Sequence, residues 1–100
     1  MYDLKNLAKV GRLGELAPET FKAFFAFDEL AYAAGAIPVK YKELMAVAVA
    51  LATQCPYCMD IHQKRARQAG ANEQELVEAA FVSVAIRAGG AITHSTHTLE

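Results

Sequence analysis

Residues 55–62 read CPYCMDIH and hold the only two cysteines of the chain, Cys55 and Cys58, followed closely by His62. Three chemistries use such a set. Two thiols three positions apart can cycle between dithiol and disulfide; with an imidazole they can bind a metal; or they can fill space as small apolar side chains. The proline between them sets their position. It drives the residue before it out of helical backbone and is itself suited to the first helical position, so Cys55 is expected at the N-cap and Cys58 in the first turn. Both sulfurs would then lie near unpaired backbone N–H groups at the positive end of a helix, where thiolate is favoured. A fall in pKa from about 8.5 to about 6.5 would raise the thiolate fraction at neutral pH from ~3% to ~75%.

His62 follows Cys58 by four residues, one helical turn further on the same face, so its ring can reach back toward that sulfur. An imidazole there can take the thiol proton and return it to a leaving oxygen or sulfur. Glu43 is the candidate that would orient the ring and favour its cationic form. It precedes Cys55 by twelve residues, which on one continuous helix is about 18 Å of rise. The chain must therefore turn before Pro56 and fold the preceding helix back on the next.

The elements that would hold these residues read as helices throughout. Leu44 to Ala52 (LMAVAVALA) is an apolar run of nine residues, about half of the ~20 that cross a bilayer, and its Ala, Leu and Met content marks a buried core helix. Pro38 opens that helix. Upstream, Leu4, Leu7, Ala8, Val10 and Leu13 outline a short first helix expected to fray near Gly11 and Gly14. Pro18 starts a second, expected to stop at Gly35. Pro56 opens the fourth, ending near Gly70 with Lys64, Arg65 and Arg67 toward its negative end. Asn72 and Glu75 have the spacing of a capping box before a fifth helix, whose apolar positions include Leu76, Val77, Ala80, Phe81, Val84 and Ala85. Gly89 and Gly90 are expected to end or bend it, leaving His94 and His97 as bystanders in a fraying tail. No strand alternation, internal repeat or low-complexity linker interrupts the pattern. The expectation is an all-α, single-domain bundle of five to six helices over residues 1–100, its core at about 20–92.

Composition narrows the function classes. With 54% apolar residues, 10 basic against 11 acidic side chains and a formal net charge of −1, the chain carries no nucleic-acid or membrane-surface footprint. The early Asp3 and the amphipathic N-terminal spacing lack the continuous apolar stretch of a signal peptide, so a cytoplasmic, reducing setting is expected. There a Cys-x-x-Cys pair is more often catalytic or metal-binding than a structural staple.

The CPYC motif alone resembles that of glutaredoxins. That fold needs a strand leading into the first cysteine and a later cis-proline, whereas here the approach is helical and no proline follows Pro56. A different resemblance fits the whole arrangement. Glu43, eleven residues, Cys55-Pro-Tyr-Cys58, three residues and His62 match the Glu-x11-Cys-x2-Cys-x3-His pattern of alkylhydroperoxidase D-like proteins. These belong to the carboxymuconolactone decarboxylase-like superfamily, and IPVKYKELMAVAVALATQCPYCMDIHQKRARQAGANEQELVEAA is similar to its helical core almost without gaps.

The resemblance implies a thiol-disulfide oxidoreductase of peroxidase type that needs no metal or organic cofactor. It implies that Cys58 attacks a hydroperoxide, that His62 shuttles the proton with Glu43 behind it, and that Cys55 resolves the sulfenic acid as a disulfide. The opposite division of labour between the cysteines stays open, because the N-terminal cysteine is the nucleophile in many dithiol enzymes. Expected partners are the hydroperoxide, a dithiol or thiol-protein reductant, and further copies of the chain as a trimer or, preferably, a hexamer. The apolar excess and the Phe21, Phe24, Phe25 and Phe27 group, read as core and interface, support self-association. Competing readings are a non-enzymatic oligomeric protein, a zinc site built on Cys55, Cys58 and His62 with Glu43 or a C-terminal histidine, and a superfamily decarboxylase. The plain decarboxylase pattern lacks the cysteine pair.

Overall fold

The computed structural model describes residues 2–100. A short 3-10 helix, Leu4–Lys9, is capped by the Asp3 carboxylate, which accepts the Lys5 N–H, and runs into α1 (Val10–Leu16). There follow α2 (Pro18–Tyr32), α3 (Val39–Thr53), α4 (Pro56–Gln68), α5 (Glu73–His94) and a closing 3-10 turn, Ser95–Thr98. The described residues hold no strand, as an all-α fold requires.

Two tight turns build the centre of the molecule. Between α3 and α4 the chain has only Gln54 and Cys55. Gln54 adopts the left-handed conformation (φ 57°, ψ 50°) that ends α3, and Cys55 N–H donates to the Ala50 carbonyl at 3.0 Å. Between α4 and α5, Gly70 does the same work at φ 100°, with Ala71 N–H donating to Ala66 O at 2.9 Å. Both junctions are therefore short, and α4 and α5 each pack against α3. The expected capping box is present: Asn72 Oδ1 accepts the Glu75 N–H and Glu75 Oε1 accepts the Asn72 N–H. Glu75 also bridges to Lys40 at 2.8 Å, tying α5 to the start of α3.

The core between these helices is small. Val47, Ala66, Ala71 and Leu76 are buried together, with Leu44, Leu51 and Met59 packed against them. α1 and α2 form an outlying pair. Gly14 does not fray α1; it lies so close to the Phe21 ring that a Cβ would stand 2.9 Å from Cδ1, so glycine there serves helix approach. α2 ends at Tyr32 rather than Gly35, because Ala33 already turns extended (φ −63°, ψ 149°) and the Lys42 ammonium takes its carbonyl at 2.6 Å. α5 runs straight through Gly89 and Gly90 to His94, and the tail is turned rather than frayed. Each glycine costs a helix interior about 1 kcal/mol, so the adjacent Gly89 and Gly90 weaken α5 without ending it.

Much apolar surface is left uncovered. The radius of gyration is 16.7 Å, against about 13 Å for a compact chain of this length. Phe24, Phe27 and Leu30 on α2 and Phe81, Val84, Ile86 and Ile92 on α5 are exposed. Among the described residues, the helical stretch Glu73–Thr98 is also long and apolar enough to cross a membrane by length and composition, with mean hydropathy 1.5. Its two buried residues, Leu76 and Ser83, show that one flank of this helix is committed to the bundle.

Candidate active site

Cys55 caps α4. Its backbone is extended (φ −105°, ψ 98°), Pro56 takes the first helical position, and the Cys55 sulfur accepts the Cys58 N–H at 3.4 Å. The two sulfurs stand 2.7 Å apart, within reach of one shared proton. They do not share it equally. Cys55 is made more acidic by the Cys58 thiol donating to it and by the backbone N–H groups of Cys58 and Tyr57. Cys58 is pushed up to about 11, first by that same hydrogen bond, then by burial and by the negative charge on Cys55. The expectation that the helix terminus favours thiolate on both sulfurs therefore needs correction: it holds for Cys55 and fails for Cys58. The backbone N–H at the helix end still pulls Cys58 down, but its bond to Cys55, its burial and the neighbouring negative charge outweigh that pull.

His62 lies one turn beyond Cys58 and is 8% exposed; Glu43 is 2% exposed. The α3–α4 hairpin brings them together, with His62 Nδ1 2.6 Å from Glu43 Oε2. A carboxylate can only accept, so opposite an ionised Glu43 the proton sits on Nδ1 and Nε2 is left as the basic face. Cys58 and His62 line a common cavity of about 370 Å³ with Tyr32, Met45 and Val49. Cys55 opens elsewhere, onto a separate hollow of about 240 Å³ beside Gln54, Pro56 and Met59.

The structure thus gathers all four residues singled out by spacing, and adds two. Tyr32, at the end of α2, lies against the His62 ring with centroids 4.7 Å apart. Its hydroxyl is held above the usual phenol range by burial, then by the charges of Asp28, Glu43 and Cys58. Lys42 lines the same cavity. Neither carries a motif, and only the tertiary fold links position 32 to position 62. Tyr57, between the two cysteines, turns to the N-terminal segment, where its hydroxyl accepts from the Asp3 N–H and from Asn6 Nδ2. His94 and His97 stack on each other, and His94 Nδ1 bonds Gly90 O. Among the described residues no three His, Cys, Asp or Glu side chains are grouped so as to hold a metal ion.

The model of the carboxymuconolactone decarboxylase family matches residues 18–100. The chain belongs to the carboxymuconolactone decarboxylase family. The resemblance read from Glu43, Cys55, Cys58 and His62 is borne out at that level. A protein of the cox locus of Paracoccus denitrificans, described as uncharacterised, is 38% identical over 95 residues, 95% of this chain and 86% of its own length. An uncharacterised protein of Haemophilus influenzae is 37% identical over 90 residues, covering 90% and 80%. In three dimensions the chain is similar to a crystal structure from Methanobacterium thermoautotrophicum, with a TM-score of 0.81, 35% identity and coverage of 86% of this chain and 97% of that one. It is similar too to an apo carboxymuconolactone decarboxylase family protein of Legionella pneumophila, with a TM-score of 0.80, 27% identity and coverage of 92% and 82%. The carboxymuconolactone decarboxylase family, with its alkylhydroperoxidase D-like branch, includes peroxidase-type members.

Proposed function

We propose that this protein is a thiol-disulfide oxidoreductase that reduces hydroperoxides. One observation carries the reading: a paired dithiol whose inner sulfur shares an apolar cavity with a buried histidine held by a buried glutamate. The cavity admits the hydroperoxide to Cys58, so Cys58 is the attacking sulfur. With its acidity near a pKa of 11, only about 10⁻⁴ of Cys58 is thiolate at pH 7. A base is therefore needed, and His62 Nε2 is that base while Glu43 stabilises the imidazolium.

The chemistry balances without a cofactor. Cys58 sulfur bonds to the terminal peroxide oxygen, the O–O bond breaks, and the proton held by His62 passes to the departing alkoxide, giving Cys58 sulfenic acid and an alcohol. The more acidic Cys55 then attacks the Cys58 sulfur, forming the disulfide and releasing water. A dithiol or thiol-protein reductant restores the pair: its thiolate bonds to Cys55 through the separate hollow, Cys58 leaves and takes back a proton from His62, and a second thiol of the reductant displaces Cys55. Exposed apolar faces on α2 and α5 support assembly of the chain with copies of itself, and a hexamer is the form proposed.

The test is single-turnover oxidation of the reduced protein followed by thiol count and mass. The intact protein should lose two thiols with one equivalent of hydroperoxide. Cys55→Ser should undergo one oxidation and stall at sulfenic acid, and Cys58→Ser should not react. If Cys58→Ser keeps the first oxidation and Cys55→Ser loses it, the sulfur roles are reversed; if neither thiol of the intact protein reacts, peroxidase chemistry is refuted.

A further inference from the structure

The cavity beside Cys58 has a composition of its own. Its lining is mostly carbon, including Ile37, Met45, Ala46 and Val49, with Tyr32, Thr53, Cys58 and His62 adding polar groups. One permanently charged side chain lines it, Lys42. Lys42 is a half-buried residue whose ammonium is fixed by donation to the Ala33 carbonyl at 2.6 Å, where α2 leaves helical backbone. That contact uses one of three N–H donors. The ion pairs among the described residues employ Arg12, Lys40, His62 and Lys64; none employs Lys42. A cation without a counter-carboxylate among the described residues thus lines an apolar cavity that also holds Cys58 and His62.

We infer that the cavity selects apolar molecules that carry a carboxylate, with the acid group on Lys42, the hydrocarbon against Ile37, Met45 and Val49, and the reacting group at Cys58 and His62. This rests on the peroxidase reading for the reaction itself: the substrate class is then a carboxylate-bearing alkyl hydroperoxide, reduced to the corresponding hydroxy acid as the dithiol becomes disulfide. A neutral hydroperoxide of equal size would make the same apolar contacts and forgo the charge-assisted ones. Such contacts at a partly exposed site are worth about tenfold in kcat/KM. The cation also makes the preference sensitive to ionic strength.

Two measurements test it. The first compares second-order rates of dithiol oxidation by an eight-carbon alkyl hydroperoxide and by its analogue ending in carboxylate. The intact protein should prefer the acid about tenfold at low salt, Lys42→Arg should keep most of the preference, and Lys42→Met should bring the ratio toward one. The second needs no turnover. The saturated eight-carbon carboxylate should slow alkylation of Cys58, read at that residue by mass spectrometry; the matching alcohol should not, and Lys42→Met should abolish the protection. Protection that depends on Lys42, with neither hydroperoxide reduced, would uphold the cavity assignment and overturn the peroxidase reading. A rate ratio near one in the intact protein, or a preference and protection unchanged in Lys42→Met, would overturn the assignment.

Discussion

Replacing His62 with Gln isolates the proton-transfer step, and its consequence can be worked from the cysteine chemistry. Gln presents an amide N–H to Glu43 in place of the Nδ1–H, so the buried carboxylate keeps a donor and the fold is preserved. An alanine would leave Glu43, 2% exposed, without its partner at a cost of about 1–3 kcal/mol. What Gln cannot do is accept the Cys58 proton. Cys58, at about 11, must then ionise to solvent against the charge on Cys55, leaving about one molecule in 10⁴ competent at pH 7. Part of that deficit is offset because a less acidic thiol is a stronger nucleophile once ionised. The expected loss in the oxidation rate is therefore about 10³ at pH 7, inside the range for a positioned acid-base group. The pH dependence is the sharper signature. A raised pKa means that thiolate grows as pH rises toward it, so the variant's rate should climb about tenfold per pH unit and its deficit shrink to about tenfold at pH 9. Stopped-flow oxidation of the reduced proteins between pH 6 and 9 measures both. A variant that reacts at the parent rate at pH 7, or whose deficit is the same at pH 9, would show that His62 does not serve Cys58 as a base.

Assembly should be visible by light scattering at micromolar concentration. The parent protein is expected as a hexamer, and Phe81→Asp, which plants a charge on the exposed stripe of Val77, Phe81 and Val84, should lower the mass; a monomeric parent would refute self-association. Asn72→Ala removes the side chain that accepts the Glu75 N–H at 2.8 Å and should cost about 1 kcal/mol, seen as a lower urea midpoint with an unchanged slope. An unchanged midpoint would mean that solvent satisfies the α5 N-terminus equally well.

The fold was legible where sequence carries local signals. Pro18, Pro38 and Pro56 mark helix starts because each sits at a helix's entry, and the Asn72–Glu75 spacing states a cap that forms within four residues. Glycine was the weaker guide. Gly70 ends α4 at positive φ, Gly14 makes room for Phe21, and Gly89 and Gly90 ride inside a helix, three physical roles that a single letter does not distinguish. At the site, Cys55, Cys58 and His62 lie within eight residues, so helix geometry alone predicts their faces, and Glu43 follows once the hairpin is required. Tyr32 and Lys42 were silent because their relation to His62 and to the cavity arises from how α2 lies on the hairpin. The acidity of the thiols was misjudged for a related reason. A helix terminus acts on each sulfur separately, whereas sulfurs 2.7 Å apart titrate as one unit.

In the proposed reaction, that splitting would let one turn of helix run both halves of a redox cycle. A single low-pKa thiol would be a ready nucleophile and an equally ready target for any oxidant that reached it. Here the acidic sulfur is the N-cap, opening on one hollow, and the sulfur that meets the apolar cavity is the less acidic one, which in the proposed reaction would give up its proton only to His62. In the proposed reaction, attack would thereby be tied to a molecule seated where the base can complete proton transfer, because the departing oxygen needs that proton back. In the proposed resolving step, the backbone N–H groups of Cys58 and Tyr57 that lower the Cys55 thiol would keep it nucleophilic, and on reduction Cys58 would depart toward the residue that can protonate it. Pro56 sets this order: as the first helical residue it makes Cys55 the cap and leaves Cys58 in the first turn, on the cavity it shares with the histidine that Glu43 holds.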